Sequence, residues 1–302
     1  MRTGQTISPE ILRQVKRFEL RTRGLVNSRF AGEYHSVFKG QGMEFSEVRE
    51  YQAGDEVRTI DWNVSARMRR LYVKRYVEER ELTVLLIVDC SGSSRFGTGE
   101  RDKQAMAAEL AAVLALTATR NNDRVGLLLC SDRIEHVVPP RKGRRHALRL
   151  VRDVLAWPVS SRGTDLAVAL DWAAQVLTHH AIVFVISDFV TPSVDRSLKL
   201  LSQRHDIVAV VLDDPGERSL PDLGVVRLVD AESGRLIEID TSAVAVRERY
   251  DRALASERAA RQHLLRRLSI DEVVVRTERG YAEPLLRFFN ARETRGRQTR
   301  RR

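Results

Sequence analysis

The sequence offers little that could staple or anchor it. Two cysteines in 302 residues cannot form a disulfide framework. Apolar runs such as Val84–Val88 and Ala181–Ile186 are far shorter than the ~18 residues a spanning helix needs. The start, MRTGQTISPE, has no apolar core that could serve as a secretory signal. These absences give the expectation of a cytoplasmic protein with no membrane span, with peripheral membrane association left open. Catalytic signatures are missing too. There is no Gly-x-Ser-x-Gly elbow, His-Glu-x-x-His pair or Walker loop, and Gly40-Gln41-Gly42 lacks the rest of a dinucleotide fingerprint. Nothing supports an ATPase activity of the chain's own.

What is present is ordinary globular usage, 43% apolar and 30% charged, in a chain long enough to bury a sizeable core. The formal net charge of +10 sits at the ends. Met1–Phe30 carries seven basic residues against two acids and Arg292–Arg302 six against one, which leaves 38 of each sign between. A neutral body lacks the basic face that specific nucleic-acid binding needs. The arginine tail alone reads as a solvated charge run.

Three regions follow from the pattern. Residues 1–81 are expected to hold an N-terminal helix, Ser8 to about Arg21, started by Ser8, Pro9 and Glu10. They also hold a small Gly- and aromatic-rich appendage with a short strand at Tyr72–Val77 and no long helical period. Residues 82–290 alternate apolar runs with helical stretches, which predicts an α/β fold with a mostly parallel central sheet and helices on both faces. Strands are expected at Leu82–Val88, Arg124–Leu129, Ile134–Val138, Ala181–Ile186, Ile207–Leu212 and Glu272–Val275. Glu232-Ser233-Gly234 reads as the turn of a hairpin. A helix at Tyr281–Asn290 closes the fold, and 291–302 reads as a basic, disordered tail.

In open parallel sheets, ligands gather beyond the carboxyl ends of the strands. The first fully apolar strand ends in Asp89-x-Ser91-x-Ser93, with Gly92 expected to supply backbone freedom. The later one ends in Ser187-Asp188, and Arg162-Gly163-Thr164-Asp165 forms a loop between them. Two carboxylates and three hydroxyls make a hard-oxygen set that suits magnesium, with manganese or calcium as alternatives. The bland alternative is that Asp89, Ser91 and Asp188 only cap the helices that follow. Cys90 and Cys130 read as buried free thiols.

Asp89, Ser91, Ser93, Thr164 and Asp188 resemble, in order and context, the metal-ion-dependent adhesion site (MIDAS) of von Willebrand factor A-like domains. A second block is similar to the N-terminal signature of the bacterial family known as domain of unknown function fifty-eight. It comprises Gly42-Met43-Glu44-Phe45, Arg49-Glu50-Tyr51, Gly54-Asp55, Arg58-x-Ile60-Asp61-Trp62 and Ser65-Ala66-Arg67. The resemblance implies that Ser91 and Ser93 bind the metal directly and that Asp89 and Asp188 hold it directly or through water. Thr164 would join when a partner docks, and an Asp or Glu of that partner would take the open position. It further implies a non-enzymatic protein-interaction module. Its partner would be a MoxR-type AAA ATPase, the pair acting in a chaperone-like role on other proteins. The alternative from another class is a magnesium-dependent phosphoester hydrolase, which calls for a general base beside the metal. For the second block, ion pairs of Asp55, Arg58, Asp61 and Arg67 around a packed Trp62 are expected to fasten the appendage to the sheet.

Overall fold

A computed structural model describes residues 31–38, 43–78, 81–99, 101–159, 161–192 and 194–299. The expected helix from Ser8 lies outside them. Among the described residues the centre is a six-stranded sheet of β3 (Thr83–Asp89), β4 (Arg124–Cys130), β5 (Ile134–Arg141), β6 (Ile182–Ser187), β7 (Asp206–Asp213) and β10 (Asp271–Arg276), in the order β10-β7-β6-β3-β4-β5. All neighbours are parallel except β5, which runs antiparallel to β4 at the edge. The protein is therefore α/β with a mostly parallel sheet.

Side chains alternate across a strand, and that parity divides the core in two. Val84, Leu86 and Val88 of β3 face one layer with Phe184 of β6. That layer contains α1 (Ala31–Phe38), α3 (Lys103–Arg120), α4 (Arg144–Ala156) and α8 (Ala282–Thr299). Leu85 and Ile87 face the other, with α5 (Leu166–Val176), α6 (Asp195–Ser202) and the end of α7 (Val244–Arg267). Strands covered on both faces read as continuous apolar runs, which is why β3 and β6 stand out in the sequence.

Chain order reverses at β3. Its helical crossover leads to β4 on one side, whereas β6 pairs on the other. The crevice beyond the carboxyl ends of β3 and β6 is thus the switch point of the sheet, and Asp89 and Asp188 stand at its two lips.

One expectation needs correction. The segment 291–299 is not a loose tail, because α8 runs on to Thr299. Arg292 pairs with Asp206 and Asp271 and lies over the Phe38 ring at 4.9 Å, and Arg295 pairs with Asp271 at 2.6 Å. Acids at the starts of β7 and β10 hold the basic turns in place. Short helices also occur between Gly32 and Glu81, where no long helical period is expected. Tyr34 and Phe38, one turn apart on α1, enter the main core against Phe289 and Phe184.

The remainder of that region is an antiparallel pair, β1 (Met43–Glu50) and β2 (Tyr72–Glu78), with α2 (Trp62–Met68) in the connection. Here the expected fastening is also corrected. Asp55 pairs with Arg49 at 2.6 Å, Asp61 caps α2 and approaches Lys74 at 3.5 Å, and Ser65 Oγ accepts from the Tyr72 N–H. Arg58 and Arg67 are exposed, and Trp62 is 64% exposed. The motif organises its own hairpin, and its tryptophan faces outward.

Candidate functional site

Each donor is placed by its own local bonds. Asp89 Oδ1 accepts from the Ser91 N–H at 2.9 Å and Oδ2 from the Ser187 hydroxyl at 2.6 Å. A short 3-10 turn, Gly92–Arg95, then sets the Ser91 and Ser93 hydroxyls 3.1 Å apart. The Gly92 N–H donates to the Arg162 carbonyl at 2.8 Å, and the Asp165 N–H donates to the Ser131 carbonyl. These two bonds bring the Arg162–Asp165 loop to the same strand ends. Ser91, Gly92 and Arg162 line a cavity of about 350 Å³.

Asp188 accepts from the Val190 N–H on Oδ1 and from Lys103 Nζ on Oδ2 at 2.8 Å. The Lys103 ammonium also reaches Glu217 at 2.5 Å and is itself 1% exposed. Burial lowers the affinity of Lys103 for its proton, but the two carboxylates outweigh that and raise its pKa above the ordinary lysine value. Among the described residues Asp89 has no ion-pair partner. Burial first, and the Asp188 charge second, push its carboxyl up to about 6.

The capping alternative does not describe this geometry. Asp165, not Asp89 or Asp188, caps α5 through the Ala167 N–H, and α6 has no side-chain cap. Gly92 is also explained differently from the expectation. Its φ lies outside the left-handed range, and what it supplies is room, since a Cβ there would stand 2.2 Å from the Ala231 carbonyl oxygen.

The structure therefore gathers Asp89, Ser91, Ser93 and Asp188 at the switch point and sets the Thr164 loop beside them. Among the described residues no group of three or more His, Cys, Asp and Glu side chains gathers around a metal position. The donor set depends on hydroxyls and is of hard oxygen throughout. Together with an Asp89 carboxylate whose burial no cation offsets, this set fits a hard divalent ion. Cys90 and Cys130 are buried free thiols whose pKa values burial drives upward, so neither competes as a ligand.

Three participants were not singled out from the sequence. Lys103 opens an alanine-rich helix and reads as a solvated first-turn lysine. Glu217 lies beyond β7 with no motif around it. Glu232 reads as a hairpin turn residue, yet it accepts a 2.5 Å hydrogen bond from the Thr164 hydroxyl. Only the company of buried alanines around Lys103 could have raised suspicion.

The fold is thus α/β, with a mostly parallel sheet whose switch-point crevice carries Asp-x-Ser-x-Ser at the end of one strand and Asp at the end of its neighbour. The chain belongs to the family described as protein of unknown function DUF58, which it matches over residues 47–260. It is 32% identical over 295 residues to uncharacterised proteins of Mycobacterium tuberculosis and Mycobacterium bovis, covering 97% of this chain and 93% of theirs. Among solved structures it is similar to the conserved hypothetical protein BatB of Bacteroides thetaiotaomicron, with a TM-score of 0.48, 14% identity and coverage of 71% of this chain and 99% of that one. A von Willebrand factor type A structure from Catenulispora acidiphila matches with a TM-score of 0.34 and 17% identity, covering 47% of this chain and 35% of that one. Among the described residues no helix is long and apolar enough to cross a membrane.

Proposed function

We infer that the protein is a non-enzymatic, metal-dependent interaction module that recognises a carboxylate on a partner protein. The observation that carries this reading is the convergence of Asp89, Ser91, Ser93 and Asp188 at the switch point. Ser91 and Ser93 would hold the ion through their hydroxyls, and Asp89 and Asp188 directly or through water. Magnesium is the ion of choice, with manganese and calcium fitting the same donors. When bound, such an ion supplies an electrophilic position that welcomes an oxygen anion. The chain's own contribution is to keep the donors rigid. Ser187 and the Ser91 N–H fix Asp89, while Lys103 and the Val190 N–H fix Asp188.

These bonds also favour recognition over turnover. Hydrolysis would need a base free to take a proton, whereas both strand-end carboxylates are held on each oxygen. The family resemblance points to a MoxR-type AAA ATPase as partner, in a chaperone-like unit acting in the cytoplasm on further proteins.

A pull-down with a purified MoxR-type ATPase from the same organism tests this. Capture is expected in magnesium and not in EDTA, and it should fail for Asp89→Ala and for Ser91→Ala combined with Ser93→Ala. Capture that ignores EDTA and both variants would overturn the reading.

A further inference from the structure

The strand-end site has a neighbour that its donors do not require. β8 (Val225–Val229) and β9 (Leu236–Asp240) form a separate two-stranded hairpin whose tip reaches the site. At that tip the Glu232 carboxylate accepts from the Thr164 hydroxyl at 2.5 Å. The Ala231 carbonyl presses on Gly92 so closely that no side chain would fit there, and Ala231 shares the cavity with Ser91 and Arg162.

The hairpin is rigid at both ends and poorly packed between them. In the tip, Asp230 accepts from the N–H groups of Glu232 and Ser233 and from the Ser233 hydroxyl, and Gly234 turns the chain at φ +69°. At the base, the buried Thr241 bonds to Leu223 and Gly224. The shaft leaves Val225, Val229 and Leu236 59–69% exposed. An arm with so little buried surface can be lifted at small cost, while its preorganised tip presents Glu232 in one place.

We propose that Glu232 is a resident carboxylate. It occupies the mouth of the strand-end site and has to leave before an acidic residue of the partner can enter. The proposal rests on reading that site as a carboxylate-recognising metal site. The chemistry of the displaced group and of the incoming group is then the same, so the hairpin sets a threshold. A tip docked nine-tenths of the time weakens the partner's apparent affinity about tenfold.

Two variants lift the tip by different means. Glu232→Ala removes the carboxylate, and Gly92→Ala pushes a methyl group against the Ala231 carbonyl while keeping the Glu232 side chain on the displaced tip. Hydrogen exchange over residues 225–240 would be measured on the full chain in EDTA and in magnesium. In parallel, fluorescence anisotropy would follow a fluorescein-labelled peptide with one central glutamate at saturating magnesium, against a glutamine control. Both variants should exchange faster at residues 230–234 than the wild type. Both should also bind the glutamate peptide about tenfold more tightly, with no binding of the control. Equal exchange in wild type and variants overturns the docking, and equal peptide binding, including none, overturns the threshold. If magnesium fails to raise the unfolding temperature of any of the three proteins, the metal reading fails instead, and exchange in EDTA decides the docking alone.

Discussion

Replacing Lys103 with methionine isolates the buried ion pair from the shape of the site. Methionine keeps a flexible apolar stem at the first position of α3, so the helix start and its Asp102 cap at the Ala105 N–H are left alone. What disappears is an ammonium 1% exposed, 2.8 Å from Asp188 and 2.5 Å from Glu217. Glu217 is one-third exposed and can turn to water, whereas the Asp188 side chain, at 5%, cannot. Removing one partner of a buried pair costs about 3–5 kcal/mol, because the remaining charge stays desolvated. At 2–4 °C per kcal/mol for a domain of this size, the melting temperature in EDTA should fall by roughly 6–20 °C. The same loss frees an oxygen of Asp188 and removes a competing cation, so magnesium should stabilise the variant more than it stabilises the wild type. Urea unfolding with and without magnesium reads both effects. A loss below about 1 kcal/mol, or a smaller magnesium effect in the variant, would refute the assignment of Lys103 as the buried cation paired with Asp188.

Other outcomes follow from the same contacts. Burial and Asp188 hold Asp89 near 6 against an ordinary 3.8, which costs about 3 kcal/mol while the group is charged. In EDTA, stability should therefore rise as pH falls from 7 through 6 towards 4, and urea titrations of Asp89→Asn should lose that component. A wild type whose stability falls monotonically over that range, in parallel with Asp89→Asn, would contradict it. Arg292→Ala removes an ion pair with Asp206 and a cation over Phe38, both partly buried. A loss of about 2 kcal/mol in urea unfolding is expected, and a neutral result would return residues 291–299 to the status of a dispensable tail.

Much of the fold was legible because burial on both faces leaves a mark in one strand at a time. Val84–Val88 and Ala181–Ile186 are apolar throughout, and the structure places them in the two central neighbours β3 and β6. The Glu232-Ser233-Gly234 turn likewise announced the β8–β9 hairpin. What escaped notice depends on contacts between distant segments. Tyr34 and Phe38 look like ordinary loop aromatics until Phe289 and Phe184 arrive beside them. The run after Asn290 has the composition of a tail, and Asp206 and Asp271, on other strands, hold it against the sheet. At the site, the donors could be named because their spacing is local. Lys103 and Glu232 could not, because a lysine at a helix start and an acid in a turn are each common, and their partners lie 85 and 68 residues away.

The metal site proposed above comprises Asp89, Ser91, Ser93, Thr164 and Asp188. Thermal unfolding of the wild type and Asp89→Ala in EDTA and across a magnesium series tests it most directly. A ligand that binds only the folded state stabilises it by about 2.7 kcal/mol at a hundred times its dissociation constant. The melting temperature should rise by several degrees in the wild type and not at all in Asp89→Ala, with both folded at the start. An equal rise in both proteins, or none in either, would contradict it.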